Sequence, residues 1–145
     1  MTAVKVVDAS ALAALLFGEP EAETVAGRLD GARLIAPSLL AIELANVCLT
    51  KCKRHPGQRE ALLAGFQLRG RLGVEEIVVE HARVLELALK SGLTAYDASY
   101  FWLARRLEAE LVTLDKELGR AGYYPMTKHR RTGPYPGVTP WPRRT

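Results

Sequence analysis

The sequence is poor in the side chains that form disulfides and soft-metal sites, since its 145 residues include only two cysteines and three histidines. Cys48 and Cys52 lie four positions apart in a predicted helix, which places their Cβ atoms about 5 to 6 Å apart. A disulfide requires a Cβ separation of about 4 Å, so both thiols are expected to be reduced. A zinc site would need two more good ligands, and the neighbouring His55 lies in a basic run.

Long apolar runs are also missing, and no segment is a plausible membrane span. The apolar start of the chain contains Asp8 and has no basic n-region, which is unlike a signal peptide. Hydrophobic residues make up 48% of the chain and charged residues 25%, a composition typical of a compact folded domain. Repeats and low-complexity segments are absent. We therefore predict a single domain in the cytoplasm with no membrane partner.

The positive net charge of +4 comes from the end of the chain. Residues 125–145 contain five basic residues, no acid and five of the eight prolines, whereas the remainder has 15 bases against 16 acids. General basicity is thus no argument that the folded part binds RNA. We predict a domain over residues 1–124, followed by an extended basic tail over 125–145 without regular structure.

Short apolar segments with turn signals alternate with segments of helical periodicity. Such an alternation is typical of an α/β fold in which a central parallel sheet is covered on both faces. The predicted strands are 4–7, 34–36, 76–79 and 111–114, and the predicted helices are 10–17, 21–29, 39–54, 57–72, 81–90 and 95–109.

Two aspartates directly follow predicted strands, Asp8 after the first and Asp115 after the last. Ligands of open parallel sheets bind at the carboxyl ends of the strands, so a site is expected there. Each aspartate also precedes a helix, and helix capping explains either one equally well when it is taken singly.

Two further acids lie on predicted helices. Glu43 falls on a polar stripe with Asn46, which a solvated helix face would explain. Asp97 lies near a helix start, where it can serve as a cap or a ligand. It should be only partly exposed, because it adjoins the apolar side of this helix, which is built from Tyr96, Tyr100, Leu103, Ala104 and Leu107. If the four acids converged, they would repel one another unless a cation were present. Hard ions such as Mg²⁺ and Mn²⁺ suit such an oxygen-only set.

Four segments form a recognisable pattern: VVDASALAALLFGEP from Val6, SLLAIELANV from Ser38, LTAYDASYFWLA from Leu93 and LVTLDKEL from Leu111. Together they resemble the PIN-domain ribonucleases, and within them the VapC toxins of toxin–antitoxin pairs. The resemblance implies a three-layer α/β/α sandwich with Mg²⁺- or Mn²⁺-dependent endoribonuclease activity on an RNA substrate. It also implies two partners, a VapB-like antitoxin and a second copy of the chain as a homodimer. The family's acidic quartet maps onto Asp8, Glu43, Asp97 and Asp115, with supporting side chains at Ser10, Asn46 and Thr113.

Within this quartet we expect Asp8 and Asp97 to be direct metal ligands, with Glu43 and Asp115 completing the site or aligning water. A haloacid-dehalogenase-type phosphatase would need a second aspartate where this chain has Ser10. A receiver domain would need adjacent acids before its first helix and a late lysine, and this pattern is missing. All three histidines lie in charged surroundings unlike a buried base, so a Ser-His-Asp arrangement is not supported. The alternative function is a catalytically silent PIN-like module that binds RNA or protein.

Basic residues near the end of the long helix and in a later helix are candidates for RNA contacts, although such faces are usually only solvated. Trp102 falls on the polar side of its helix, and we expect it either to form an exposed interface or stacking platform or to be buried against a neighbouring helix. The candidate RNA-binding residues are Lys51, Lys53, Arg54, Arg59, Arg105 and Arg106, with Arg69 and Arg71 as further possibilities.

Overall fold

Four parallel strands form one sheet in the computed structural model, which describes residues 2–123 and leaves out the side chains of Glu117 and of residues 121–123. The order is β3-β2-β1-β4, so the first strand lies centrally between the second and the last. The predicted parallel sheet is therefore confirmed. The predicted tail over 125–145 lies outside the described residues. The strands are β1 (Val4–Val7), β2 (Arg33–Pro37), β3 (Glu75–Ile77) and β4 (Glu110–Val112).

Seven α-helices lie around this sheet within residues 2–123, and the arrangement is the predicted three-layer α/β/α sandwich. Helix α6 packs against β1 and β2, α5 packs on α6, and α3 packs on both α1 and α4. No helix in this part of the chain is both long and apolar enough to cross a bilayer. The helices are α1 (Ala9–Leu16), α2 (Ala22–Leu29), α3 (Leu40–Arg54), α4 (Arg59–Gln67), α5 (His81–Ser91), α6 (Ala95–Arg106) and α7 (Lys116–Tyr123).

The core lies between β1 and the helices on either side of it. Val6 and Val7 are both fully buried, as expected for a central parallel strand that is covered on both faces. Helix α6 is buried along most of its length, from Ala98 to Ala104. Burial at this depth fixes the position of α6 over the sheet, and with it the position of the acid in its first turn.

Two predicted helices are shorter than expected, each for a local reason. The segment predicted over 57–72 divides into α4 and a 3-10 turn, Leu68–Leu72, which ends at Gly73 in the left-handed conformation (φ 66°). The helix predicted over 95–109 ends at Arg106. There Glu108 adopts φ 51°, its N–H bonds to the Arg105 carbonyl, and the Ala109 N–H bonds to the Ala104 carbonyl. This is a Schellman ending with glutamate in the position that glycine usually occupies.

Three expectations about α6 side chains are now decided by packing. Trp102 is only 4% exposed, so of the two alternatives burial against neighbouring elements is the one observed. Tyr96 and Leu107 were assigned to the apolar side of this helix, and that expectation is wrong because both are exposed. They lie at the two ends of the helix, where there is less neighbouring structure to cover them.

Helix α4 approaches the end of α1 so closely that Gly65 has no room for a side chain. A Cβ there would lie 2.5 Å from the Leu16 carbonyl oxygen, a backbone atom that cannot rotate away. We expect Gly65→Ala to separate the two helices and to lower the free energy of unfolding by about 1 to 3 kcal/mol. Urea unfolding of the variant and the wild type measures this difference.

Gly27 provides the matched control, since it lies in the interior of α2 with no atom within 4 Å of a Cβ built on it. Gly27→Ala should stabilise the protein by about 0.5 to 1 kcal/mol, because alanine loses less conformational entropy in a helix. Equal effects of the two substitutions would contradict the close packing of α4 on α1.

Candidate active site

The site is organised around the neighbouring carboxyl ends of β1 and β4. Val7 pairs with Val112 in the parallel ladder, and the Asp8 N–H continues it with a 3.2 Å bond to the Val112 carbonyl. Asp8 therefore lies across from Thr113, although the two are 105 positions apart in sequence. Asp8 also caps α1, because its Oδ1 accepts from the Ala11 N–H at 3.1 Å. Capping and site formation are both satisfied by this one carboxylate.

Two hydroxyl groups hold the Asp8 carboxylate in place. Thr113 Oγ1 donates to Oδ2 at 2.6 Å, and Ser10 Oγ donates to Oδ1 at 2.7 Å. The same two oxygens accept backbone bonds, Ser10 Oγ from Leu114 N–H and Thr113 Oγ1 from Asp115 N–H, each at 2.9 Å. A carboxylate has about four acceptor positions, so three donors on Asp8 leave roughly one for a further ligand.

Asp8 is nearly inaccessible to bulk water, with 4% of its surface exposed. Burial raises the pKa of this carboxyl, the hydrogen bonds from Thr113, Ser10 and Ala11 oppose that rise, and the neighbouring negative Asp115 adds to it. The net direction is upward. The ionised form of Asp8 is therefore destabilised by its surroundings, and a cation beside it would relieve this.

Asp97 and Asp115 reach the same edge of the sheet from two other elements. Thr94 caps α6 by accepting from the Asp97 N–H at 3.1 Å, so Asp97 is a half-buried residue of the first helical turn rather than the cap. Asp115 is exposed and accepts from the Leu118 N–H at 3.0 Å at the start of α7. The capping role of Asp115 is confirmed, as it is for Asp8. Unlike Asp8, Asp115 keeps its carboxylate exposed to solvent.

Glu43 in the first turn of α3 completes the group, and its surroundings differ from those expected of a solvated helix face. The residue is half-buried, and its Oε1 is buried without a hydrogen bond of normal geometry to any described residue. Burial raises the pKa of Glu43, the nearby Tyr100 hydroxyl opposes the rise, and the negative charges of Asp8 and Asp97 add to it. Helix periodicity placed Glu43 on a polar stripe, whereas in the fold the carboxyl group is half-buried with the Tyr100 hydroxyl of α6 nearby.

The four acids are thus close enough to influence one another, Glu43 with Asp8 and Asp97, and Asp8 with Asp115. Among the described residues, no three acidic, histidine or cysteine side chains are arranged to hold a metal ion as they stand. The chemistry of the set nevertheless fits a hard divalent cation, because every donor is an oxygen and the buried Glu43 Oε1 lacks a partner.

The predicted supporting and RNA-binding residues lie in differing surroundings. Ser10 and Thr113 contact Asp8, whereas Asn46 is exposed one turn beyond Glu43 and makes no hydrogen bond to the quartet within residues 2–123. Lys51 pairs with Glu19 at 2.5 Å, which engages its charge within the fold. Of the other candidate cations, the exposed ones are Lys53, Arg54, Arg59 and Arg71, and the half-buried ones are Arg69, Arg105 and Arg106.

One residue at the site escaped prediction from the sequence. Tyr100 was assigned to the apolar side of its helix, and its ring is indeed buried in the core. Its hydroxyl, however, is close enough to Glu43 to influence the pKa of that carboxyl. The available signal was the spacing, because Tyr100 lies three residues after Asp97 and hence on the same face of α6.

Three comparisons with known proteins agree with this geometry. The PIN domain family model matches residues 5–122. Ribonuclease VapC3 of Pyrobaculum aerophilum is 36% identical over 126 residues, which cover 78% of this chain and 90% of that protein. The crystal structure of PAE2754, from the same organism, superposes with a TM-score of 0.67 at 26% identity, over 83% of this chain and 81% of that one. The chain therefore belongs to the PIN-domain family and is of the VapC type.

Proposed function

We propose that this protein is a divalent-metal-dependent endoribonuclease and the toxin of a type II toxin–antitoxin pair, acting in the cytoplasm on RNA. The observation that carries the proposal is that the fold places Asp8, Glu43 and Asp97 at one edge of the sheet, close enough for the charges of Asp8 and Asp97 to raise the pKa of Glu43. Repulsion of this kind has a structural cost that a cation offsets. The similarity to a protein named a ribonuclease supports RNA as the substrate.

In this proposal Asp8 and Asp97 bind Mg²⁺ or Mn²⁺ directly, and Asp115 and Glu43 complete the site or align water. Such an ion, when bound, would lower the pKa of a water molecule that it coordinates and would stabilise negative charge on the scissile phosphate. Ser10 and Thr113 fix the orientation of Asp8 through the hydrogen bonds described above. Exposed Asp115 forms the side of the cluster that a phosphate reaches from solvent.

The direct test is cleavage of a mixed RNA substrate by clean protein with Mg²⁺, with Mn²⁺ and with excess chelator. Cleavage that requires either ion supports the proposal. The alternative is a catalytically silent module that binds RNA or protein through the same scaffold. Metal-independent RNA binding with no cleavage under any of these conditions would favour that alternative.

Two exposed apolar surfaces support protein partners. A groove of about 530 Å³ lies between α3 and α4, with Leu49 and Leu63 exposed along it. On α5, Leu85 and Leu89 are exposed one turn apart. We propose that a VapB-like antitoxin places a basic side chain among the acids and an apolar stretch along the helices. The apolar surface of α5, at Leu85 and Leu89, is our candidate for a homodimer contact, since exposed apolar patches commonly mark interfaces.

RNA binding is proposed to involve the basic residues beyond Glu43 on α3 and the start of α4. Lys53, Arg54 and Arg59 are exposed there. Glu43 and Arg54 are eleven residues apart, so the basic end of α3 lies about 16 Å along the helix from the acidic site. A single strand bound at the site could reach these cations with neighbouring phosphates. Arg105 and Arg106 stay as further candidates on α6.

Removing the basic tail should weaken RNA binding without removing the chemistry, because residues 125–145 contain five basic residues and no member of the quartet. We expect a chain ending at Tyr124 to bind RNA less tightly. The slope of log affinity against log salt should flatten by up to about 0.7 for each lost phosphate contact. Fluorescence anisotropy at several salt concentrations measures both effects. A folded truncation that never cleaves, even at saturating RNA, would contradict this assignment.

A further inference from the structure

Two buried polar atoms at the acidic site lack hydrogen bonds of normal geometry among the described residues. They are Glu43 Oε1, at the start of α3, and the Tyr100 hydroxyl, on α6. Nearly all buried polar atoms of native proteins are paired, so each such atom requires an explanation. The two occur together at one site and have complementary chemistry, since one is a carboxylate acceptor and the other a hydroxyl donor.

The two groups are neighbours. Burial raises the pKa of Glu43, and a side-chain hydrogen bond from Tyr100 opposes part of that rise. Burial raises the pKa of Tyr100 strongly, and the negative Glu43 raises it further, with smaller effects from Asp8 and Glu76. Tyr100 therefore stays protonated at neutral pH and can act as a donor. A side-chain hydrogen bond between the two groups contributes to the pKa shift of each, so they lie near hydrogen-bonding distance, although outside normal hydrogen-bond geometry.

The tyrosine is the fixed partner of the two. Its ring is 1% exposed within the core, on a helix that packs against β1 and β2. Asp97 precedes it by three residues on the same face of that helix, so one rigid element carries both groups. Glu43, by contrast, has a flexible side chain that charge repulsion from Asp8 and Asp97 would drive away from the site.

We propose that the Tyr100 hydroxyl is a positioning group that donates to Glu43 and keeps its carboxylate turned toward Asp8 and Asp97, where a cation can use its remaining lone pairs. This inference rests on the proposed function and deepens it. It accounts for the two unpaired atoms together, and it explains how a carboxylate can be held beside two others before a metal arrives. Tyr100 acts through Glu43 and makes no contact with RNA.

The test is Tyr100→Phe, which removes the hydroxyl and keeps the buried ring. We expect the variant to fold normally, because the hydroxyl has no structural partner among the described residues. Mn²⁺ affinity, measured by EPR without RNA, and kcat should each fall by about 10- to 100-fold, the range typical of lost outer-shell partners, while KM for RNA is unchanged. Tyr96→Phe is the matched control, because Tyr96 is exposed on the same helix and its hydroxyl should have no effect.

A double-mutant cycle adds two proteins to this comparison, Glu43→Gln alone and Glu43→Gln combined with Tyr100→Phe. If the hydroxyl acts through Glu43, the double variant should be no worse than Glu43→Gln alone. The proposal is overturned if the losses of Mn²⁺ affinity in the two single variants multiply in the double variant. It is also overturned if Tyr100→Phe binds Mn²⁺ and cleaves RNA as wild type does, or if Tyr100→Phe fails to fold. If wild type binds Mn²⁺ but does not cut RNA, the ribonuclease function alone is refuted. The role of Tyr100 is then decided by comparing the Mn²⁺ affinities of Tyr100→Phe and wild type. A wild type that binds no Mn²⁺ refutes both.

Discussion

Asp97→Asn is expected to reduce metal-dependent RNA cleavage by at least about 100-fold, since even partners outside the direct ligand set commonly cost 10- to 100-fold. The substitution preserves shape and removes one negative ligand. Thr94, not Asp97, supplies the side-chain cap of α6, through a bond from the Asp97 N–H that asparagine retains. The fold should therefore survive. Cleavage of mixed RNA in Mn²⁺, compared between variant and wild type, measures the loss.

Asp8→Asn should show a similar loss for the same reason, and it tests the quartet from a second element. Asparagine can still accept the Ala11 N–H through its side-chain oxygen and so retain the cap of α1. Glu60→Gln is a suitable control, because Glu60 is an exposed acid in the first turn of α4 and lies outside the quartet. If both aspartate variants cut RNA as well as wild type does, the acids are structural and the proposed site is wrong.

The parts of the site that the sequence predicted are those set by local rules. Asp8 and Asp115 each follow a strand, and parallel strands end at a common edge, so it was predictable that both lie at that edge. That β1 pairs directly with β4 was not predicted. The hydroxyl groups of Ser10 and Thr113 were expected from the family resemblance, and both donate to Asp8. Local sequence thus places each side chain at the end of its own element, and the pairing of β1 with β4 then brings Thr113 to Asp8.

The parts that the sequence did not predict depend on contacts between distant elements. Helical periodicity places Glu43 on a solvated face, yet its Oε1 is buried and Tyr100 of a different helix lies near its carboxyl group. Lys51 has the sequence context of an RNA contact, but its ammonium pairs with Glu19. Trp102 has a polar phase on α6 and is nevertheless buried. Periodicity assigns a residue to a face of its own helix and carries no information on what covers that face.

Removal of divalent metal should leave a protein whose stability falls as the pH rises from about 4 toward neutrality. The folded-state pKa values of Asp8 and Glu43 lie above their ordinary values. At these two groups the folded chain therefore binds more protons than the unfolded chain in this range, and their contribution makes unfolding easier as those protons leave. The stabilising contribution is complete below the ordinary pKa and is lost as the pH passes through the raised one. Thermal unfolding in chelator at several pH values measures this slope.

Mn²⁺ should reverse the trend, because it binds the deprotonated carboxylates and competes with protons. At a concentration about 100 times its dissociation constant it should add about 2.7 kcal/mol to the free energy of unfolding, and this gain should shrink on acidification. Asp8→Asn should be at least as stable as wild type in chelator at pH 7 and should gain less from Mn²⁺. Glu110 gives a control in which stability changes with pH in the opposite direction. Burial alone would raise the pKa of Glu110, but its contacts with Arg28 at 3.0 Å and Lys5 at 3.3 Å lower it overall. Glu110→Gln should therefore lower the free energy of unfolding at neutral pH and change it little in acid. If wild type gains no stability from Mn²⁺ at pH 7, the four carboxylates do not form a metal site.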